Sequence, residues 1–263
     1  MKPQLVGVIH LPALPGSPNH SLPMSDILAG VRADAECLQH AGFDAVVVEN
    51  FGDAPFFKDN VPKVTVAAMT AACLAAREAA PSLALVVNVL RNDADAALAV
   101  AAVSDAVAIR VNIHTGARVA DQGLIEGRAA DTLRTRKALG LRASIWADVD
   151  VKHSAALAPY PLDQDVHDLV LRGGAEVVIA SGSGTGVLPD EAKLRAISEL
   201  VRGCGARVGL GSGASLATLP MLAKYIDVLI VGSALREGGK AGGGIAAQRA
   251  QEFSAAFRAA FLT

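Results

Sequence analysis

Arg207-Val-Gly-Leu-Gly-Ser-Gly213 and Val228-Leu-Ile-Val-Gly-Ser233 are two short apolar runs that each end in glycine and serine. Each run precedes helix-like sequence, and the pair has the spacing of one β/α unit. In a (β/α)8 barrel the loops after the last two strands commonly hold phosphate, because bare backbone N–H groups and the start of a short helix face an anion there. Glycine suits such a site since it lets the backbone come close. The alternative is that these glycines only turn the chain tightly.

The same alternation recurs along the chain at intervals of about thirty residues, with a β-branched or apolar run followed by an alanine-rich amphipathic stretch. Eight such units in 263 residues close a barrel more naturally than they build an open sheet. The sequence therefore predicts one α/β domain over residues 1–263, a (β/α)8 TIM barrel. The predicted strands are Leu5–His10, Ala45–Asn50, Ala84–Leu90, Ala106–Asn112, Ala143–Val151, Glu176–Ser181, Arg207–Gly211 and Val228–Gly232. The predicted helices are Asp26–His40, Val64–Ala80, Ala94–Val103, Arg128–Leu139, Leu162–Arg172, Asp190–Arg202, Ser215–Lys224 and Ile245–Phe261.

Composition narrows the classes of function. Apolar residues make up 52% of the chain and aromatic residues 4%, which is typical of small-residue helices packed on buried strands. A formal net charge of −2 without a long basic run argues against a nucleic-acid partner. Cys37, Cys73 and Cys204 lack metal-ligand spacing and indicate a reducing, cytoplasmic setting. Pro12 and Pro15 interrupt the N-terminal apolar run, and no window has the length of a transmembrane segment, so a soluble protein is expected.

Polar side chains follow nearly every predicted strand, at the end where barrels of this class carry their chemistry. Because a buried polar group without a partner is costly, this many in one mouth predict a shared network or a bound polar ligand. The residues are His10, Glu49, Asn50, Asn88, Arg91, Asn92, Arg110, Asn112, Asp148, Asp150, Lys152, Ser181, Ser183, Ser212 and Ser233.

The fifth predicted strand, Ile145-Trp-Ala-Asp-Val-Asp-Val-Lys-His153, supplies the main catalytic candidates. A two-residue period places Asp148, Asp150 and Lys152 on one face. These groups suit proton transfer or the binding of a divalent cation, and a structural Asp–Lys pair is the alternative. Glu49 is a further candidate base, metal ligand or capping residue. His10 is a candidate acid or base, with a purely structural histidine as the alternative.

Substrate-binding candidates lie on neighbouring strand ends. Arg110 and Asn112 share a face of the fourth strand, where an arginine suits a carboxylate or phosphate and could instead pair with Asp148 or Asp150. Arg91 and Asn92 are candidate substrate contacts. Loop residues 121–127 could cover the mouth. The glycine-rich stretch 237–244 is either a mobile rim loop or a plain connection.

A third glycine-rich segment, Ser181-Gly-Ser-Gly-Thr-Gly186, follows the sixth predicted strand. It has the small residues and backbone donors of an anion nest but lacks the lysine of a Walker A loop, and a flexible connection is the alternative. The predicted phosphate contacts are Ser181, Gly182, Gly211, Ser212, Gly213, Gly232 and Ser233.

Five blocks, in order along nearly the whole chain, carry a resemblance to a known family. They are Gly7–Pro18, Val48–Phe56, Asn88–Asp93, Ile109–Asn112 with Asp121–Gly127, and Ala147–His153. Together they resemble the BtpA family, whose members include a protein associated with photosystem I biogenesis and one from a bacterial sugar-utilisation operon. The resemblance implies a barrel-fold enzyme group and identifies no reaction.

We therefore predict an enzyme acting on a small phosphorylated metabolite, a sugar phosphate or nucleotide-derived compound, by lyase, isomerase or hydrolase chemistry. The alternative that the resemblance implies is a non-enzymatic biogenesis or stability factor for a membrane complex such as photosystem I. A third hypothesis is glycoside hydrolysis by a carboxylate pair drawn from Glu49, Asp148 and Asp150. The identity of the substrate, a divalent cation and homo-oligomerisation stay open.

Overall fold

A computed structural model describes residues 2–151, 153–182 and 188–262 of the chain. Its strands are β1 (Gln4–His10), β2 (Ala45–Glu49), β3 (Ala84–Asn88), β4 (Ala108–Val111), β5 (Ala117–Ala120), β6 (Gly123–Glu126), β7 (Ser144–Val149), β8 (Ser154–Ala156), β9 (Val177–Ala180), β10 (Arg207–Leu210) and β11 (Val228–Val231). Eight of them close into a parallel barrel in the order β1-β11-β10-β9-β7-β4-β3-β2. The predicted TIM barrel is confirmed, and each predicted strand overlaps one barrel strand.

The helices surround the barrel, and buried apolar residues join them to its outer face. They are α1 (Met24–Ala41), α2 (Lys63–Ala79), α3 (Ala94–Ser104), α4 (Ala129–Ala138), α5 (Leu162–His167), α6 (Glu191–Gly203), α7 (Leu219–Leu222) and α8 (Ala247–Phe261). Two predicted helices are less regular than expected: α5 continues as a π-helical segment over Asp168–Arg172, and α7 is preceded by a 3₁₀ turn over Leu216–Thr218. No helix in the described part of the chain is long and apolar enough to cross a membrane.

A small sheet outside the barrel, in the order β6-β5-β8, was not predicted. Its strands are antiparallel and three or four residues long, and most of their side chains are exposed or half-buried. Such strands lack the buried, alternating face by which strands are recognised in sequence. The hairpin formed by β5 and β6 occupies part of the loop that we expected to extend over the mouth.

The barrel interior explains where the polar residues go. Alternate residues of the barrel strands form an apolar inner cluster that includes Val8, Val47 and Val86. Two residues further along their strands come His10, Glu49 and Asn88, and the register pairs these three side by side across β1, β2 and β3. Arg110 on β4 is the next partner in the same row. The strands therefore carry a polar layer directly above an apolar one.

Candidate functional site

The polar row opens into a cavity of about 230 Å³ at the carboxyl ends of the strands. The predicted residues that line this mouth cavity are His10, Glu49, Arg91, Arg110, Asn112, Gly211, Ser212, Gly213, Gly232 and Ser233. Predicted acid/base, binding and phosphate residues from six strand ends thus meet in one place. Five other residues predicted for catalysis or binding do not line the cavity: Asn92, Asp148, Asp150, Ser181 and Gly182.

Arg110 and Asp148 form a buried, two-pronged ion pair beside the cavity. The Arg110 Nε and Nη2 atoms donate to the two Asp148 oxygens at 3.0 and 2.8 Å. Burial lowers the pKa of Arg110, but the Asp148 charge and hydrogen bonds outweigh it, so this pKa lies above the ordinary value. Asn112 Nδ2 and Ser181 Oγ also donate to Asp148, at 3.0 and 3.3 Å. The carboxylate that we predicted as catalytic therefore has four donors and holds Arg110 in place.

Asp150 does not share the environment of Asp148, and the predicted common face is wrong. The strand ends at Val149, and Asp150 has a left-handed φ of 50°, so the two-residue alternation stops before it. Its carboxylate pairs with Arg118 Nη2 at 2.9 Å and with Lys193 Nζ. Partial burial raises the pKa of Asp150, but Lys193 and Arg118 more than offset this and hold it below the ordinary value. Lys152 lies outside the described residues.

A second cavity of about 230 Å³ lies between the small sheet and the barrel, and both aspartates contribute to it. Arg118 on β5 and Asp165 on α5 face the same space. Burial raises the pKa of Asp165, while the Arg118 charge opposes that shift. The two aspartates predicted to act together are thus separated: Asp148 is held by its buried ion pair with Arg110, and Asp150 by its pairs with Arg118 and Lys193.

His10 and Glu49 form a close pair of acid–base side chains in the mouth cavity. The Gly242 N–H donates to His10 Nδ1 at 3.2 Å, so in the neutral ring the proton resides on Nε2. That Nε2 atom lies 4.0 Å from Glu49 Oε1, while Asn88 Nδ2 donates to Glu49 Oε2 at 2.6 Å. The Phe51 ring packs against the imidazole at a tilt of 35°, with centroids 4.5 Å apart. Both side chains are therefore held in orientation with one polar edge toward the cavity.

Gly211 and Gly232 have a packing role that their sequence did not specify. A Cβ at Gly211 would lie 3.0 Å from Ser181 Oγ and 3.1 Å from Arg110 Nη2. A Cβ at Gly232 would lie 3.0 Å from His10 Cε1. Both positions continue the inward-facing alternation of β10 and β11, so the missing side chains leave room for Arg110 and His10.

Hydrogen-bond donors without acceptors line the edge of the cavity that follows β10 and β11. Ser212 Oγ is buried and has no hydrogen-bond partner among the described residues. Among the described residues there is likewise no acceptor for the backbone N–H groups of Ser212, Gly213, Ser233 and Ala234. Gly213 has a φ of 87°, which only glycine adopts without strain. The buried Ser212 hydroxyl is costly to leave unpaired, and the N–H groups around it add further donors, so this edge is suited to an anionic or strongly accepting ligand.

Arg236 supports this edge, and sequence reasoning missed it. Its guanidinium donates to the carbonyl oxygens of Val8, Gly232 and Gly243 at 2.9, 2.7 and 3.0 Å. Burial lowers the pKa of Arg236, and the charges of Asp34 and Glu49 oppose that shift. One side chain thus ties β1, the end of β11 and the glycine-rich stretch together. An arginine next to a glycine-rich run resembles a solvent-exposed residue in sequence, so no signal identified it.

The glycine-rich stretch 237–244 is part of the rim. Ala241 lines the mouth cavity, and Gly242 provides the hydrogen bond to His10. Near the end of the same segment, Ile245 N–H donates to Asp34 Oδ1 at 2.8 Å. Of the two interpretations of this stretch, the contacts favour a rim element over a plain connection.

The remaining predicted residues have defined positions. Arg91 lines the cavity and is 7% exposed, and burial lowers its pKa while the Asp148 charge opposes that shift. Asn92 turns away from the cavity and exchanges two 2.8 Å hydrogen bonds with the Ile113 backbone. Ser183 lies outside the described residues. Within residues 2–151, 153–182 and 188–262, no three histidine, cysteine or acidic side chains are grouped so that they could hold a metal ion.

Known proteins resemble this chain in sequence and in fold. It is 40% identical over 251 residues to an uncharacterized protein of Methanocaldococcus jannaschii, covering 95% of this chain and 94% of that one. It is 38% identical over 237 residues to the photosystem I biogenesis protein BtpA of Synechocystis, covering 89% and 81%. Among solved structures, thiamine phosphate pyrophosphorylase from Pyrococcus furiosus superposes with a TM-score of 0.58 at 15% identity, covering 98% of this chain and 96% of that one. Phosphoribosyl anthranilate isomerase from Thermus thermophilus gives a TM-score of 0.56 at 14% identity, covering 97% and 98%. The BtpA family model matches residues 1–259, and the chain therefore belongs to the BtpA family.

Proposed function

We propose that this protein is an enzyme that acts on a small phosphorylated metabolite in the mouth cavity. The observation that carries the proposal is the buried Ser212 hydroxyl without a partner among the described residues, beside the unpaired N–H groups of Gly213, Ser233 and Ala234. A phosphate group supplies several acceptors to one small region, which matches this concentration of donors. We assign the phosphate to this edge.

The structural neighbours support the choice of substrate class. The names of thiamine phosphate pyrophosphorylase and of phosphoribosyl anthranilate isomerase both indicate phosphorylated compounds. Identities of 15 and 14% relate these proteins to this chain by fold alone, so the substrate class rests on the donors at the cavity edge. A sugar phosphate and a nucleotide-derived phosphate both fit this proposal.

In the proposed mechanism, Glu49 moves a proton and His10 donates a hydrogen bond. With Nδ1 occupied by the Gly242 N–H, His10 presents an Nε2–H donor to the cavity, and Glu49 presents the acceptor Oε1 4.0 Å from it. A substrate that lies against both groups can lose a proton from one of its atoms to Glu49, while the His10 Nε2–H donates a hydrogen bond to the oxygen on which negative charge develops. Glu49 can then return that proton to a neighbouring substrate atom. Such paired transfers occur in isomerase and lyase reactions, and in hydrolase reactions Glu49 would activate water instead.

Arg91 and Arg110 have different parts in this scheme. Arg110 is committed to Asp148, so it fixes the shape and charge of the cavity wall. Arg91 places its guanidinium at the cavity and would stabilise negative charge that develops on the substrate. Asp148 and Asp150 are paired with cations, which disfavours the glycosidase hypothesis. A divalent cation stays a prediction.

Calorimetric titration with inorganic phosphate tests this assignment. We call the edge formed by Ser212, Gly213, Ser233 and Ala234 the phosphate cradle. Gly213→Ala forces a side chain onto a backbone with a φ of 87° and should weaken phosphate binding. Gly205→Ala is the matched control, since Gly205 has a φ of 81°, lies outside the cavity and has open space around its Cβ position. If phosphate does not bind, or if both variants bind it like the wild type, the cradle assignment is wrong.

Turnover is tested separately by incubating the protein with phosphorylated metabolites and following them by phosphorus and proton NMR. We expect conversion of at least one compound and its loss in Glu49→Gln, which keeps the side-chain shape but removes the base. A variant as active as the wild type would eliminate Glu49 from the mechanism.

The second candidate function is assembly or stabilisation of a membrane complex, favoured by the name of the Synechocystis relative. It predicts that Glu49→Gln complements a strain lacking the gene as well as the wild type does. The enzyme proposal predicts that this variant fails although it accumulates normally. A cytoplasmic location and self-association stay predictions that fractionation and sedimentation would check.

A further inference from the structure

We propose that the substrate carries hydroxyl groups at its end opposite the phosphate, and that Asn112 accepts a hydrogen bond from one of them. This inference rests on the proposed function and narrows its substrate class to polyhydroxylated phosphates. The carrying observation is Asn112 Oδ1, a buried oxygen that has no hydrogen-bond partner among the described residues although Asn112 lines the cavity.

The orientation of the Asn112 amide is determined by its neighbour. Asn112 Nδ2 donates to Asp148 Oδ2 at 3.0 Å, and reversing the amide would place two oxygens against each other. Oδ1 is therefore the atom left over, and it can only accept. The residue is 3% exposed, so an unpaired Oδ1 is costly and a ligand donor there contributes to binding.

Topology puts this acceptor across the barrel from the phosphate edge. Asn112 directly follows β4, and Ser233 follows β11 two residues after its end. In the closed order β1-β11-β10-β9-β7-β4-β3-β2, strands β4 and β11 are four places apart, which is half the circumference. A ligand whose phosphate contacts Ser233 thus extends its other end toward Asn112.

The acceptors of the cavity wall favour hydroxyls over carboxylate, keto and hydrocarbon ends. Glu49 Oε1, on β2 two places from β4 in the barrel order, offers a second acceptor. A hydroxyl can donate to such an acceptor, and two hydroxyls of one chain can satisfy both. A carboxylate or keto oxygen would face Asn112 Oδ1 and the Glu49 carboxylate with lone pairs only. A hydrocarbon end would leave both acceptors unpaired.

Isothermal titration calorimetry on the full-length protein separates these cases with three probes: inorganic phosphate, an aldopentose 5-phosphate and n-pentyl phosphate. The two organic probes have equal carbon counts and differ in their hydroxyls. We expect the pentose phosphate to bind about tenfold more tightly than the pentyl phosphate, the effect of pairing one buried acceptor. Asn112→Leu, which is similar in size, should abolish this preference and leave the affinity for inorganic phosphate unchanged.

The outcomes distinguish the two proposals. Equal affinity of the wild type for the pentose and pentyl phosphates overturns the hydroxyl inference while the phosphate cradle stands. An undiminished preference in folded Asn112→Leu also overturns it. Failure of all three probes to bind refutes the proposed function, and the inference with it. If Asn112→Leu does not fold, the wild-type comparison of the two organic probes still decides.

Discussion

Replacing Asp148 with asparagine should destabilise the protein strongly, because it leaves Arg110 buried without a counter-charge. Asp148 Oδ1 accepts from Arg110 and Ser181, and Oδ2 accepts from Arg110 and Asn112. An asparagine must turn its NH₂ group toward one of these donor pairs, so at least one charge-assisted hydrogen bond becomes a donor–donor contact. Removing one partner of a buried ion pair costs about 3–5 kcal/mol. We expect a loss of this size for Asp148→Asn.

Urea unfolding followed by fluorescence measures this loss, with Trp146 as a local reporter. Trp146 is the single tryptophan, is buried, and lies two residues before Asp148 on β7. Asp131→Asn is the matched control: Asp131 pairs with Arg128 at 3.1 Å, but both side chains are solvent-exposed. Surface pairs contribute less than about 1 kcal/mol, so this control should unfold close to the wild type.

A double variant tests whether the cost comes from the unpaired charge. Replacing both partners, as Arg110→Met with Asp148→Leu, should cost less than Asp148→Asn alone, since neither charge of the pair is left buried without its partner. If Asp148→Asn destabilises no more than Asp131→Asn does, the structural reasoning is wrong. Asp148 would then return as a candidate base in the mouth of the barrel.

Four further predictions concern other residues. Burial lowers the pKa of His114 below its ordinary 6.5, so the unfolded chain binds its proton more readily and stability should fall as the pH drops below about 6.5. His114→Gln should flatten this dependence in urea melts at pH 7 and pH 5, and an unchanged slope would contradict it. Burial raises the pKa of Cys73 to about 12, so Ellman's reagent should leave Cys73 unmodified in the folded protein. In urea the reagent should label all three cysteines. Rapid labelling of Cys73 in the folded protein would refute this prediction. Gly30→Ala, in the exposed middle of α1 with open space at its Cβ position, should raise stability by about 0.5–1 kcal/mol. Gly211→Ala should lower stability by about 1–3 kcal/mol because of its contacts with Ser181 and Arg110, and thermal melts of both glycine variants that shift in the same direction would contradict the pair of predictions.

The positions of the barrel strands were predictable from the sequence, but the residues at which the strands end were less predictable. Buried apolar runs mark β1 to β3 clearly because each has a continuous apolar interior. At the carboxyl ends the prediction extended too far, as at Asp150, where a left-handed residue ends the alternation. The short strands of the outer sheet carry no such run and were missed.

The candidate site shows the same division. Polar residues at strand ends indicated the correct mouth, and ten of the predicted residues line its cavity. Sequence could not tell that Asp148 would be saturated by donors, that Asn92 would face the Ile113 backbone, or that Arg236 would brace the rim. Each of these depends on contacts between residues far apart in the chain.

The sequence by itself determined the barrel, the order of its strands and the end at which the polar groups gather. The reason is that the two-residue and helical periods are local properties of the chain, and eight repeats of them close in one way. Only the tertiary structure decided which polar groups are committed to one another. It assigns Asp148 to Arg110 and Asp150 to Arg118 and Lys193. Within the described part of the chain, it also leaves one buried side-chain atom of Ser212 and one of Asn112 without a partner. That distinction depends on distances and burial, which no stretch of sequence carries alone.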